Sequence, residues 1–148
     1  MIYLDASAIV KLVIAEDESE ALHALLVADD TPPVFTSQLS ITEVKRALHA
    51  RGEPEVAAGI SAPPGHLRVP GQTILARPAT TGTFSAAGDL LPASAMRSLD
   101  AVHIATALSA GAWLTAVVTY DTRMAATAAE LGITVLAPNP NDDGTPPA

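Results

Sequence analysis

The sequence predicts an α/β domain built on a short, mostly parallel sheet flanked by helices. Three observations carry that expectation. Apolar runs alternate with stretches of helical periodicity, in the order strand, two helices, strand, several helices, strand, helix, strand. The strand runs are apolar at successive positions, which is how a sheet covered on both faces reads. The chain has 148 residues, enough for one domain with a real core and hardly for two.

The first strand is the apolar run of residues 1–4, with Ile2 and Tyr3 as good strand formers. Asp5 and Ser7 follow as candidate helix N-caps, and Ile9, Leu12 and Val13 have helical spacing over residues 8–15. A second helix is predicted over residues 16–29, where the acidic residues Glu16, Asp17, Glu18 and Glu20 suit the positive end of the helix dipole. Thr31-Pro32-Pro33 ends it, and residues 34–36 form a second strand. A third helix over residues 37–51 carries Leu39, Ile41, Val44, Ala47 and Leu48 and stops at Gly52.

The segment from Gly52 to Ser98 is rich in proline and glycine, so only short elements fit there. Expected are a short helix at 55–61, a strand at 73–76 and a short helix at 84–91. Regularity returns with a helix over 99–110 capped by Gly111, a strand over 115–120, a helix opened by Asp121 and closed by Gly132, and a last strand over 133–136. The domain is expected to occupy residues 1–136. Residues 137–148, with four prolines and the pair Asp142-Asp143, are expected to be a disordered tail.

Composition removes several classes of function. No cysteine is present, which excludes disulfides, thiolate nucleophiles, iron–sulfur clusters and cysteine-based zinc sites. Sixteen acidic residues against eight basic ones give a net charge of −8, the wrong sign for gripping nucleic acid by bulk charge. Aromatic residues make up only 3%, too few for a base-stacking platform. The uncharged stretch 104–119 falls short of a membrane span and contains Thr106, Ser109, Gly111 and Thr115. With no targeting segment visible, a soluble, cytoplasmic protein without membrane contact is expected.

Four acids have a common address in such a topology. Ligands bind outside the carboxyl ends of the strands. Asp5 and Asp121 directly follow strands, while Glu43 and Asp100 lie in the opening turns of helices that start at that same edge. Converging carboxylates raise each other's pKa values unless a cation offsets them, and an oxygen-only donor set suits Mg²⁺ or Mn²⁺. Such ions promote phosphodiester hydrolysis and would bridge an acidic protein to a polyanion. The same residues also have ordinary readings: Asp5 and Asp121 as N-caps, Asp100 as a dipole partner, Glu43 as a solvated face. Spacing alone leaves both readings open.

The motif Met1-Ile2-Tyr3-Leu4-Asp5-Ala6-Ser7-Ala8 resembles the opening of PIN domains, specifically VapC-type toxins of bacterial toxin–antitoxin pairs. The stretch from Ser37 through Glu43 to Ala47 resembles their helix with the second acid. Arg97-Ser98-Leu99-Asp100-Ala101-Val102-His103-Ile104-Ala105-Thr106-Ala107 is close to the family pattern, and Thr119-Tyr120-Asp121-Thr122-Arg123-Met124 completes it in the right order. The Pro/Gly-rich middle departs from that pattern. The resemblance implies a PIN-like three-layer sandwich and a Mg²⁺-dependent endoribonuclease acting as a toxin, with Mn²⁺ as a substitute ion.

On these residues the resemblance places metal binding first at Asp5 and Asp100. Glu43 and Asp121 complete the acidic catalytic set, directly or through water. Ser7 is expected behind Asp5, and Arg97 is a candidate for touching a substrate phosphate. His103 has three readings, orienting a carboxylate, acting as an acid, or packing as a half-buried structural histidine, with packing favoured because metal-activated water needs no histidine base. Implied partners are RNA as substrate, a VapB-like antitoxin whose basic segment suits the net charge, and a second copy of the chain in a homodimer. The alternative function is a PIN-like module that binds RNA or protein without cutting. A receiver or phosphatase reading is disfavoured, since no second Asp stands beside Asp5.

Overall fold

The computed structural model describes residues 1–90 and 96–141. It contains a single six-stranded sheet with the order β3-β4-β2-β1-β5-β6. The strands are β1 (Ile2–Leu4), β2 (Val34–Ser37), β3 (His66–Val69), β4 (Gln72–Arg77), β5 (Ala116–Val118) and β6 (Val135–Leu136). All neighbouring pairs are parallel except β3 with β4. The helices are α1 (Ala6–Val13), α2 (Ser19–Val27), α3 (Gln38–Ala50), α4 (Pro54–Gly59), α5 (Thr81–Asp89), α6 (Ser98–Leu108) and α7 (Thr122–Glu130).

Strand pleating explains why the apolar runs are continuous. Ile2 and Leu4 point into one core with Ala8, Ile9, Val44 and Leu48 from α1 and α3. Between them, Tyr3 points to the opposite core with Phe35, Ile104, Val117, Met124 and Ala128. A third cluster joins Ala87 of α5 to Ala101, Val102 and Ala105 of α6. The sheet is thus covered on both faces, and the layers number three as expected.

The predicted elements recur with shifted ends. The second helix begins at Ser19, not residue 16, because the side chains of Glu16 and Glu18 are held by Lys11 outside the helix. The third begins at Gln38, with Ser37 capping it through the Leu39 N–H. The strands around 115–120 and 133–136 are shorter than expected, since only residues paired across the ladder count as strand. Residue 91, the predicted end of the short helix at 84–91, lies outside the described residues, as do residues 142–148 of the predicted tail.

The Pro/Gly-rich middle is more regular than the sequence suggests. β3, missed entirely, pairs antiparallel with β4 in a hairpin whose two-residue turn is Pro70-Gly71. Proline pre-sets the first turn position, and Gly71 supplies the positive φ of 73° that the second requires. β3 alternates exposed and buried residues, as an edge strand with one covered face should.

This topology fixes the site. From β1 the chain moves to β2 on one side and later returns as β5 on the other. The carboxyl end of β1 is therefore the switch point of the sheet, where an open crevice forms.

Candidate active site

Asp5, Glu43, Asp100 and Asp121 line one cavity of about 440 Å³ at this switch point, together with Ser7, Lys11, Glu16, Arg51, His103 and Tyr120. Two of the acids also act as the N-caps that the ordinary reading foresaw. Asp5 caps α1, accepting a hydrogen bond from the Ser7 N–H. Asp121 caps α7, accepting from the N–H groups of Arg123 and Met124 at 2.8 and 3.1 Å. Capping and cavity lining are compatible, because a helix that starts at the strand's carboxyl end puts its cap on the rim.

Asp5 is the buried member, only 5% exposed. Its carboxylate accepts from the Thr119 hydroxyl and, at 3.1 Å, from the Ser7 hydroxyl. Burial pushes its carboxyl above the ordinary value, and the hydrogen bonds from Thr119 and Ser7 and the nearness of His103 only partly oppose this. At Asp121 partial burial also pushes upward, but the two backbone N–H groups outweigh it and hold the carboxyl below its ordinary value.

The two acids share a frame. Thr119 Oγ1 donates to Asp5 and accepts from the Asp121 N–H at 3.1 Å. Ser7 Oγ accepts from the Tyr120 N–H at 2.8 Å. Ser7 thus links Asp5 to the Tyr120 backbone through its hydroxyl. Thr119 is a residue that sequence reasoning missed, although a hydroxyl two positions before Asp121 mirrors Ser7 two positions after Asp5.

Beside this frame, over Tyr120, lies a corner of ion pairs that was also missed. Lys11 Nζ contacts Glu16 at 2.5 Å and Glu18 at 2.7 Å and lies 4.7 Å from the centre of the Tyr120 ring. Arg51 pairs with the other oxygen of Glu16. Burial draws the Lys11 amine down, but its bonds to Glu16 and Glu18 outweigh this and raise it, while Lys11 and Arg51 hold the Glu16 carboxyl down. These partners lie far apart in sequence and have no local signature.

Arg97 is exposed and does not line the cavity, and its side chain does not cap α6. It stands just before α6, the helix that carries Asp100. His103 is buried, with Nδ1 2.6 Å from the Tyr3 hydroxyl and Nε2 2.7 Å from Glu43 Oε2.

Among the described residues, no three histidine, aspartate or glutamate side chains are grouped closely enough to cage an ion unaided. The donor chemistry nevertheless fits a hard dication. Magnesium commonly takes one or two carboxylates and keeps several waters, so a closed protein cage is not required. Asp5, raised by burial with hydroxyl and amide donors for company, is a carboxylate that a nearby cation would relieve.

The family model described as PIN domain matches residues 2–130. The chain belongs to the PIN domain family. Ribonuclease VapC46 of Mycobacterium tuberculosis is 42% identical to it over 141 residues, covering 93% of this chain and 98% of the relative. Ribonuclease VapC35 of the same species is 42% identical over 142 residues, covering 93% and 97%. The crystal structure of Mycobacterium tuberculosis VapC20, a toxin that cleaves the sarcin-ricin loop, superposes with a TM-score of 0.68 at 17% identity, covering 93% of this chain and 100% of that one. That likeness concerns the fold. In this PIN domain the rim acids come from the β1–α1 junction, α3, α6 and the β5–α7 junction.

Proposed function

We propose that this PIN domain is an endoribonuclease and the toxin of a toxin–antitoxin system, hydrolysing RNA phosphodiester bonds at the four-acid cavity. The observation that carries the reading is the meeting of Asp5, Glu43, Asp100 and Asp121, from four separate elements, on one cavity wall. The ribonuclease names of relatives matched over nearly their whole length supply the reaction class.

Asp5 and Asp100 would hold Mg²⁺ or Mn²⁺, with Glu43 and Asp121 completing the set directly or through water. Bound there, the ion would supply positive charge for the phosphodiester and a more acidic water. The protein's own part is orientation. Ser7 and Thr119 fix the Asp5 carboxylate, and the N–H groups of Arg123 and Met124 fix Asp121. Low exposure around Asp5 strengthens every charge interaction there. Purified protein should cut RNA with Mg²⁺ or Mn²⁺ and stop when EDTA is added; cleavage that survives EDTA would overturn the metal-dependent reading.

A PIN-like module that binds RNA or protein without cutting is the second reading. A calorimetric titration showing no Mn²⁺ binding would support it. As partners we propose a VapB-like antitoxin, with a basic segment entering the acidic cavity, and a second copy of the chain. Among the described residues no helix is long and apolar enough to cross a membrane; the cytoplasm is the proposed location.

A further inference from the structure

His103 connects the buried core to the rim. Its ring lies on α6, one turn past Asp100, and is only 3% exposed. On one side Nδ1 meets the hydroxyl of Tyr3, a fully buried residue of the central strand. On the other side Nε2 is 2.7 Å from Oε2 of Glu43 on α3, a side chain that is one-third exposed. That second contact is close but out of line for a hydrogen bond, so Nε2 stands as a buried polar atom without an aligned partner. Buried polar groups in folded proteins are nearly always paired, and hydrogen bonds at active sites often align only when the site is loaded.

We propose that His103 is a positioning residue that holds the Glu43 carboxylate in the cavity, with Tyr3 fixing the histidine ring from behind. The proposal rests on the nuclease reading above. The Tyr3 hydroxyl lies 2.6 Å from Nδ1, and Glu43 Oε2 lies 2.7 Å from Nε2. In this arrangement Tyr3 donates to Nδ1 and the ring proton sits on Nε2, facing Glu43. The T-shaped contacts of Tyr3 with Phe35 and with His103 keep the ring from turning. Among the described residues, no hydroxyl or amide holds Glu43 in the manner of Asp5 or Asp121, so the histidine supplies at Glu43 the restraint that the caps supply at those two acids. The charged groups His103 faces are Glu43 and Asp5, both cavity acids.

Three variants separate positioning from packing. His103→Ala removes both contacts, His103→Gln restores a donor near the Nε2 position, and Tyr3→Phe removes only the rear support. Each is compared with the parent chain for kcat on an RNA oligonucleotide, for Mn²⁺ affinity by calorimetry, and for Tm. Partners standing behind ligands of metal sites typically govern about 10–100-fold in affinity or activity. His103→Ala should lose kcat and Mn²⁺ affinity in that range, with KM for RNA little changed, and His103→Gln should recover most of the loss. Tyr3→Phe should fall between the parent and His103→Ala in both readouts.

A folded His103→Ala chain with parental kcat and Mn²⁺ affinity would overturn the proposal, as would a glutamine variant no better than the alanine one. Where His103→Ala does not fold, Tyr3→Phe decides, and parental kcat and Mn²⁺ affinity in that variant would overturn it. A parent chain that binds Mn²⁺ but cuts no RNA defeats the nuclease reading instead, and the variants' Mn²⁺ affinities still judge His103.

Discussion

The β1–α1 and β5–α7 junctions are built to one plan and end in opposite electrostatic states. In each, a parallel strand stops, an aspartate caps the next helix, and a hydroxyl residue two positions away braces the turn. Asp5 is buried, and burial dominates, so its carboxyl is raised. Asp121 is more open, the N–H groups of α7 win, and its carboxyl is lowered. The difference teaches that a cap position sets where a carboxylate points, while depth in the crevice sets how strongly it wants a cation. If the proposed ion binds, the deep member of the pair is the one whose burial it would relieve.

The sharpest way to break this comparison is to neutralise each acid in turn. Asp5→Asn should abolish RNA cleavage while leaving α1 formed, since asparagine caps about as well as aspartate. Asp121→Asn should reduce cleavage less. Equal losses at both positions, measured on the same RNA, would remove the functional distinction between the two junctions.

Metal linkage gives the next largest effect. At 100-fold excess over Kd, a dication bound only by the folded state adds about 2.7 kcal/mol. For a chain of this size that corresponds to a rise in Tm of roughly 5–10 °C. Mn²⁺ should produce such a rise in the parent chain, less of it in Asp121→Asn, and almost none in Asp5→Asn. A full shift in Asp5→Asn would place the ion elsewhere.

In metal-free buffer the signs of the pH dependence should be opposite. Folded Asp5 keeps its proton to higher pH than its ordinary value of 3.8. Between 3.8 and that raised value the native state binds more protons than the unfolded chain. Its contribution to stability therefore falls as pH rises through that window, and at neutral pH Asp5→Asn should raise Tm. Asp121 contributes stability that is present above 3.8 and is lost as pH falls through its lowered value. Urea midpoints of the parent and the two asparagine variants, taken from about pH 3 to pH 7, would show both signs or refute them.

The smallest effect concerns the cap alone. Asp121→Ala should cost about 1 kcal/mol beyond Asp121→Asn, because alanine leaves the Arg123 and Met124 N–H groups without their acceptor. Equal urea midpoints for the two variants would show that the turn holds without the side chain.

Sequence reading reached these junctions because caps, apolar runs and acids are local signals. Asp5 and Asp121 could be placed at strand ends from the few residues around them. The hairpin of β3 and β4 was harder: Pro70-Gly71 reads as a breaker, and only the pairing of Leu67 with Ile74 shows that it is a turn within a sheet. The corner of ion pairs was invisible for a related reason, since Arg51 meets Glu16 only after α3 has packed beside α1. His103 fell between the two cases. Its burial was legible in the apolar pattern of α6, but its contacts with Tyr3 and Glu43 depend on the packing of three elements.

Tyr120 carries one more consequence. Its ring lies under Lys11 on the cavity wall, and its hydroxyl donates to the Pro138 carbonyl at 2.8 Å. The chain just past the last strand is thereby latched at Pro138 to the wall of the crevice. Trimming the chain after Leu136 to ease crystallisation would cut that latch and slacken the wall on which the lysine rests, so a shortened protein would be a poor proxy for the 148-residue chain in any cleavage assay.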